Sequence, residues 1–107
     1  MTRVIVRYKV KPDQVSNNEQ LVRAVYEELH RTGTAGLRYA TFRLDDGQTF
    51  VHIASTETDD GSNPLSGIAA FQRFQEGIAG RCEEAPQVSE MHEVGSYRLF
   101  GGGAGAS

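Results

Sequence analysis

The sequence is poor in several residue types that mark particular classes of protein. It contains one cysteine, Cys82, and no tryptophan among 107 residues. A single cysteine cannot form an internal disulfide, so a disulfide-stapled secreted scaffold is excluded and a cytoplasmic location is expected. No apolar run approaches the length of a membrane-spanning helix, and we therefore expect no membrane partner.

An excess of one charge is also absent. The formal net charge is −3, from 11 basic and 14 acidic residues that are scattered along the chain, which gives no reason to expect nucleic acid as a partner. The three histidines include no closely spaced pair on one element, so no metal site is predicted.

The length predicts one domain, which we place at residues 1–100. Residues 101–107 consist of glycine, alanine and serine. Because such a segment has almost no side chains with which to pack, we expect it to be a disordered tail.

Residues 37–55 are predicted to form a β-hairpin whose register can be derived. If Asp46 and Gly47 form a two-residue type I′ turn, Arg43 pairs with Phe50 and Thr41 with His52. Side chains alternate along a strand, so one face is apolar and the other amphipathic. The apolar face carries Ala40, Phe42, Leu44, Val51 and Ile53, and the amphipathic face carries Tyr39, Thr41, Arg43, Phe50 and His52. We expect the apolar face to lie under helices.

The periodicity of apolar residues and the helix-capping patterns predict four further elements. Residues 3–10 alternate as a strand, and Ser16 with Glu19 forms a capping-box pattern before a helix. That helix has a buried stripe of Leu21, Val22, Val25 and Leu29. Asn63 and Pro64 start a second helix that ends near Gly80 and buries Ile68, Phe71, Phe74 and Ile78. Residues 87–100 are predicted to be the last strand, with a bend or bulge at Gly95.

This order of elements predicts a ferredoxin-like βαββαβ fold. Right-handed crossovers place both helices on one face of a four-stranded antiparallel sheet of order 4-1-3-2. Val4, Val6, Tyr8 and Val10 then join Phe42 and Val51 under the helices. The open face would carry Ile5, Arg7, Lys9, Tyr39, Thr41, Arg43, Phe50 and His52, and this mixture of basic and aromatic groups predicts cover by a second copy of the chain.

The opening strand at residues 4–12, the helix at 21–29, the hairpin and the segment 69–74 carry a resemblance to a known family. Over residues 3–100 the chain resembles the small antibiotic biosynthesis monooxygenase-like proteins of the dimeric α+β barrel superfamily. The resemblance implies that two subunits join their sheets into a barrel, with ligand cavities between helices and sheet. Relatives include cofactor-free oxygenases of polycyclic aromatic substrates, quinol oxygenases and haem-degrading enzymes.

The chain also departs from those relatives. The oxygenases use a pocket tryptophan together with asparagine and tyrosine, whereas this chain has no tryptophan and places Asn17, Asn18 and Asn63 at predicted helix starts. The haem degraders take an iron ligand from a histidine of the second helix, and that helix has none here. We therefore expect neither haem nor another cofactor.

His52, Tyr39 and Tyr8 are the predicted catalytic residues. An imidazole titrates near neutral pH, and His52 lies in mid-strand opposite Thr41. In this hypothesis a histidine or tyrosine removes a phenolic proton, and the resulting anion reacts with oxygen. Tyr8 is expected to face the helices, and Tyr39 and His52 to face the partner. The alternative is a histidine satisfied by hydrogen bonds in a subunit interface.

Phe42, Phe71, Phe74 and Arg43 are the predicted ligand-binding residues. The phenylalanines could line an aromatic pocket for a small flat ligand, although a closed core uses the same residues. A binding site for an acidic ligand on Arg7, Lys9 and Arg43 is a further possibility.

The two main hypotheses are a cofactor-independent oxygenase of a small aromatic or polyketide-like substrate and a non-catalytic dimer. A filled space between helices and sheet would favour the second.

Overall fold

The computed structural model describes residues 1–99, so residue 100 and the predicted tail at 101–107 lie outside the described part of the chain. The elements are β1 (Thr2–Val10), α1 (Val15–Thr32), β2 (Leu37–Arg43), β3 (Thr49–Thr56), α2 (Ala69–Gln75), α3 (Ile78–Arg81) and β4 (Cys82–Met91). Short 3₁₀ turns at Pro12–Gln14 and Pro64–Gly67 precede α1 and α2. Within residues 1–99 no helix is long and apolar enough to cross a membrane.

The four strands form one antiparallel sheet of order β2-β3-β1-β4. The helices pack on one face of this sheet, which confirms the ferredoxin-like α+β prediction. The two central strands are β1 and β3, and they contribute most of the buried side chains of the sheet.

The hairpin has the predicted register, but its turn is different. Arg43 pairs with Phe50 and Thr41 with His52. Gly47 has a φ of 76°, whereas Asp46 keeps a negative φ, so the turn is not type I′. The Asp46 carboxylate instead accepts hydrogen bonds from the backbone N–H groups of Gln48 and Thr49 and from the Thr49 hydroxyl. The side chain of Asp46 therefore stabilises the turn, together with the backbone hydrogen bond from the Gly47 N–H to the Leu44 carbonyl.

The prediction of which hairpin face lies under the helices was wrong. The β1–β3 register pairs Val6 with His52 and Tyr8 with Phe50, and cross-strand partners share a face. Phe50 is 2 % exposed beneath the helices, whereas Phe42 is 52 % exposed on the open face. The hairpin's own alternation does not show which side is covered. Pairing with β1, whose Tyr8 is buried, decides it.

Helix α1 packs its apolar stripe on the sheet but begins without the predicted cap. Val22 and Val25 are buried, and Leu21 and Leu29 are partly buried against the same core. Gln14 occupies the N-cap position, and its side chain makes no capping hydrogen bond to the backbone, so the Ser16–Glu19 capping box does not form. The preceding 3₁₀ turn carries the chain into the helix earlier than that pattern indicated.

The predicted second helix is divided into three segments. Asn63 accepts a hydrogen bond from the Leu65 N–H, as a cap should, but it caps a 3₁₀ turn. Gly77, with a φ of 72°, then separates α2 from α3. Strand β4 begins at Cys82 and ends at Met91, so Gly95 lies beyond it. The irregular pairing of β4 with β1 falls between Arg7 and Val10 instead.

The observed orientation of the hairpin, with Phe50 buried and Phe42 exposed, gives a stability prediction with a matched control. Phe50→Ala should lower the free energy of unfolding by about 3–5 kcal/mol, because it removes a fully buried ring. Phe42→Ala should cost less than about 1 kcal/mol in dilute protein, because that ring is exposed. Urea unfolding of both variants measures the difference. Equal losses would contradict the orientation of the hairpin.

Candidate functional site

A cavity of about 480 Å³ lies between the sheet and the helices α2 and α3. Its wall is mostly apolar and includes Val4, Val6, Leu65, Phe71, Phe74 and Ile78. Tyr8, Tyr39 and His52 supply polar atoms to the same wall. A concave apolar site of this size with a few polar groups is typical of a small-molecule pocket. The space between helices and sheet is therefore not filled.

His52 is the centre of the polar wall. It is 4 % exposed, and its Nε2 lies 2.7 Å from the Tyr8 hydroxyl. Its Nδ1 lies 2.7 Å from the Tyr39 hydroxyl and 3.1 Å from the Thr41 hydroxyl. The three strands β1, β3 and β2 bring these side chains together, because adjacent strands present them on one face.

The hydrogen bonds continue beyond Tyr8 into the helices. The Asn18 side-chain amide on α1 donates to the Tyr8 hydroxyl at 2.9 Å. The Asn18 carbonyl oxygen accepts from Nε of Arg81, at the end of α3, at 3.2 Å. Within residues 1–99 no buried side-chain polar atom lacks a partner. A continuous polar chain thus runs from Arg81 to Tyr39 through the core.

Aromatic packing fixes the rings that carry these hydroxyls. Tyr8 stacks on Phe50 with ring centroids 5.6 Å apart, and Tyr26 stacks on Tyr39 at 5.3 Å. The His52 ring lies 5.3 Å from that of Phe74. Such contacts limit rotamer freedom, so the polar wall is preorganised before any ligand enters.

Burial sets the protonation of the site. It lowers the pKa of His52 to about 4, so the imidazole is neutral at pH 7. Burial also raises the pKa of Tyr8 and Tyr39 well above the usual value for tyrosine, although the Asn18 hydrogen bond opposes this at Tyr8. All three groups are uncharged. Together they present hydrogen-bond donors and acceptors to a ligand.

The structure places the predicted catalytic residues in one cluster but corrects two of their orientations. Tyr8 faces the helices as expected. Tyr39 and His52 also face the helices, because β3 pairs with β1 in the register that places His52 beside Val6. They do not lie on the face that a partner subunit would cover.

The predicted ligand-binding residues divide into two groups. Phe71 and Phe74 line the cavity. Phe42 lies on the opposite face of the sheet and cannot contribute to an aromatic wall. Arg43 lies near α1, where its Nη1 is 2.8 Å from a carboxylate oxygen of Glu19. The face of Arg43 is also opposite to that of Arg7, so the predicted acidic-ligand patch does not form.

Two asparagines reach the site, contrary to the sequence prediction. Asn63 lines the cavity, and Asn18 is fully buried beside Tyr8. The signal for Asn18 was present in the sequence, because it precedes Val22, Val25 and Leu29 by four, seven and eleven residues. An amide on the apolar stripe of a helix needs a buried hydrogen-bond partner. Arg81 carried no such signal.

Across residues 1–99 no group of three or more histidine, cysteine, aspartate or glutamate side chains could hold a metal ion. His30 and His92 are exposed and do not line the cavity. The polar groups of the cavity wall are hydroxyls, an imidazole and amides.

Solved structures with similar folds include several proteins of one type. The chain matches a Nitrosomonas europaea protein described as a candidate antibiotic biosynthesis monooxygenase with a TM-score of 0.69 and 17 % identity, over 88 % of this chain and 99 % of that one. The chain shares the fold of antibiotic biosynthesis monooxygenase-like proteins. The resemblance inferred from the sequence is confirmed at that level.

Two further structures show the breadth of this fold. A mutant of SnoaB, a cofactor-independent oxygenase from Streptomyces nogalater, matches with a TM-score of 0.66 and 13 % identity, over 91 % of this chain and 96 % of that one. The N. europaea protein NE2512, of unknown function, matches with a TM-score of 0.70 and 12 % identity, over 94 % and 95 % of the two chains. No protein-family profile and no curated protein matches the sequence.

The lowered pKa of His52 predicts a pH dependence of stability. The pKa of His52 is about 6.5 in the unfolded chain, the ordinary value for histidine, and about 4 in the folded chain. Stability should therefore fall as the pH drops from about 6.5 to about 4, by roughly 3 kcal/mol from this group. Urea unfolding across that range measures the slope. His52→Gln should remove this part of the slope, whereas the control His30→Gln, at an exposed site, should retain it. Equal slopes in all three proteins would contradict the assignment of the slope to His52.

Proposed function

We propose that the cavity binds a small flat aromatic molecule and that the chain catalyses its cofactor-independent oxygenation. The observation that carries this proposal is the open space between helices and sheet, with the His52–Tyr39 pair in its wall. Apolar side chains supply the area that an aromatic ligand needs, and the hydroxyl and imidazole groups fix the position of its oxygen. The fold shared with SnoaB supports the same reaction class.

The reaction uses the substrate's own electrons. An aromatic CH₂ group next to an oxygenated ring loses a proton to give an electron-rich anion, which reacts with O₂. One oxygen atom becomes the new carbonyl, the other leaves as water with the two hydrogens of the CH₂ group, and no external reductant is required. The site would contribute by positioning the substrate, stabilising the anion and handling the proton, for which neutral His52 and Tyr39 are suited.

The lack of tryptophan favours a second candidate, a non-catalytic ligand-binding protein with the same cavity. Both candidates require ligand binding, because the cavity is present in both. Only the first requires oxygen uptake and product formation. An assay of turnover therefore separates them, whereas a binding assay alone does not.

Turnover can be tested with 1,8-dihydroxyanthrone as the probe. Oxygen uptake above the spontaneous rate, with formation of the anthraquinone, is expected from the unmodified chain. His52→Gln should lower the rate by about 100-fold or more, because it disrupts the His52–Tyr39 pair that would stabilise the substrate anion. His30→Gln, an exposed control, should leave the rate unchanged. Binding of the probe without oxygen uptake would refute the oxygenase and support the non-catalytic candidate.

We also propose that a second copy of the chain covers the open face of the sheet. Phe42 is 52 % exposed there, and Ile5, Val51 and Ile53 are only partly buried beside it. A contiguous apolar strip of this kind on a central sheet is typical of an interface. The dimer would enclose the face opposite the cavity, so each subunit would keep its own polar wall.

Light scattering measures this association directly. The unmodified chain should have the mass of two copies, and Phe42→Asp should shift it toward one copy, because an unpaired carboxylate would be buried in the interface. Val88→Asp is the matched control and should keep the mass of two copies. Val88 is 65 % exposed, like Phe42, but it shares a face with Val6 on the helix side of the sheet. A single-copy mass for the unmodified chain would overturn the proposed dimer.

A further inference from the structure

The guanidinium of Arg81 is buried without a carboxylate partner. Arg81 is 7 % exposed, and it forms no ion pair with any acidic side chain of residues 1–99. Its Nη groups donate to the backbone carbonyls of Phe74 and Glu76 at the end of α2, at 2.6 and 3.0 Å. These two bonds give each Nη group of the guanidinium a hydrogen-bond partner. The third arm, Nε, donates to Asn18 at 3.2 Å.

Arg81 fixes the orientation of the Asn18 amide. Arginine has donors but no acceptor, so the amide oxygen of Asn18 must face Arg81. The amide NH₂ must then face the Tyr8 hydroxyl, 2.9 Å away, and the oxygen of Tyr8 accepts that hydrogen bond. The usual ambiguity between the oxygen and nitrogen of an asparagine side chain does not arise here.

The direction of this bond determines where the Tyr8 proton points. Tyr8 is 1 % exposed, so its O–H needs an acceptor, and the His52 Nε2 at 2.7 Å is the one acceptor in hydrogen-bond contact among the described residues. Because His52 is neutral, its single ring proton must then be on Nδ1. That N–H faces the oxygens of Tyr39 and Thr41.

We propose that Arg81, acting through Asn18, orients the whole chain so that the Tyr39 hydroxyl donates its proton to an acceptor oxygen of the ligand. Tyr39 accepts from His52, and its side chain lines the cavity. The neighbouring Thr41 hydroxyl, which also contacts Tyr39, is already paired with Tyr26 at 2.8 Å, and this leaves the Tyr39 O–H to the cavity. The ligand class is therefore an aromatic ketone or a phenolate, with a carbonyl or anionic oxygen at Tyr39. This specificity rests on the proposed ligand-binding function of the cavity.

In this arrangement His52 is part of a directed donor chain and does not act as a free base. The N–H and O–H donors of this chain end at the carbonyl oxygen of the ligand. When the substrate becomes an anion, negative charge develops on that oxygen, and the donors stabilise it. Arg81 and Asn18 are positioning residues in this arrangement, and Tyr39 is the group that touches the ligand.

The tautomer of His52 tests the direction without any substrate. Long-range ¹H–¹⁵N correlation spectra should show the proton on Nδ1 in the unmodified chain. Asn18→Asp keeps the shape of the side chain but can only accept, so Tyr8 should donate to the new carboxylate and the His52 proton should move to Nε2. Asn17→Asp, exposed and bonded only to Gln14, is the matched control and should leave the tautomer unchanged. An Nε2 proton in the unmodified chain overturns the inference.

Arg81→Met is a second variant that removes the orienting donor. If it folds, the His52 signals should show both tautomers, because the Asn18 amide can then flip. It also leaves two backbone carbonyls of α2 without partners and can fail to fold. In that event the Asn18→Asp result alone decides, with an unchanged Nδ1 proton counting against the inference.

The ligand preference has its own probes. 2-Acetylnaphthalene and 2-ethylnaphthalene have nearly the same shape, but only the first carries an acceptor oxygen. The unmodified chain should bind the acetyl compound roughly fivefold tighter, as expected for one neutral hydrogen bond. Tyr39→Phe and Asn18→Asp should both abolish this preference, whereas Asn17→Asp should keep it. Equal affinities in the unmodified chain would overturn the assignment of Tyr39 as donor.

These outcomes separate the inference from the proposed oxygenase. An Nδ1 proton with preference for the acetyl probe, but without oxygen uptake, would leave the donor chain standing and refute the enzyme. Oxygen uptake together with an Nε2 proton would do the reverse. In that second case His52 would receive the substrate proton through Tyr39.

Discussion

The antiparallel pairing of β1 with β3 is the constraint on which the rest of the structure depends. It places Tyr8 opposite Phe50 and Val6 opposite His52, and so determines which side chains of the hairpin enter the core. A shift of one residue would exchange the two faces of β3 and move His52 to the open side. The cavity, the polar chain and the exposed apolar strip all follow from this one register.

Placing a histidine and two tyrosines in a small core is costly unless their polar atoms are paired. Here each partner is a side chain fixed by a different element, with Asn18 from α1, Thr41 from β2 and Arg81 from α3. Their mutual hydrogen bonds offset the loss of contact with water. The same burial keeps His52 neutral at pH 7, so it determines both the protonation of the site and the pH dependence of stability.

The shared fold does not decide the chemistry of this chain. Structures with the same architecture include a cofactor-independent oxygenase and a protein of unknown function, at identities of 13 % and 12 %. Function in such a scaffold depends on the side chains that one cavity brings together. The arrangement of Arg81, Asn18, Tyr8, His52 and Tyr39 is therefore the feature from which the function of this chain is argued.

The sequence alone determined the element order, the sheet order and the hairpin register, because alternation and turn residues are local signals. It also selected Tyr8, Tyr39 and His52 as candidate residues, but it placed Tyr8 on the opposite face of the sheet from the other two. The buried face of the hairpin was not determined, since both of its faces carry apolar residues and only pairing with β1 selects one. Likewise, the contact between Arg81 and Asn18 joins residues 63 positions apart, and no local pattern encodes it. Tertiary packing decided both.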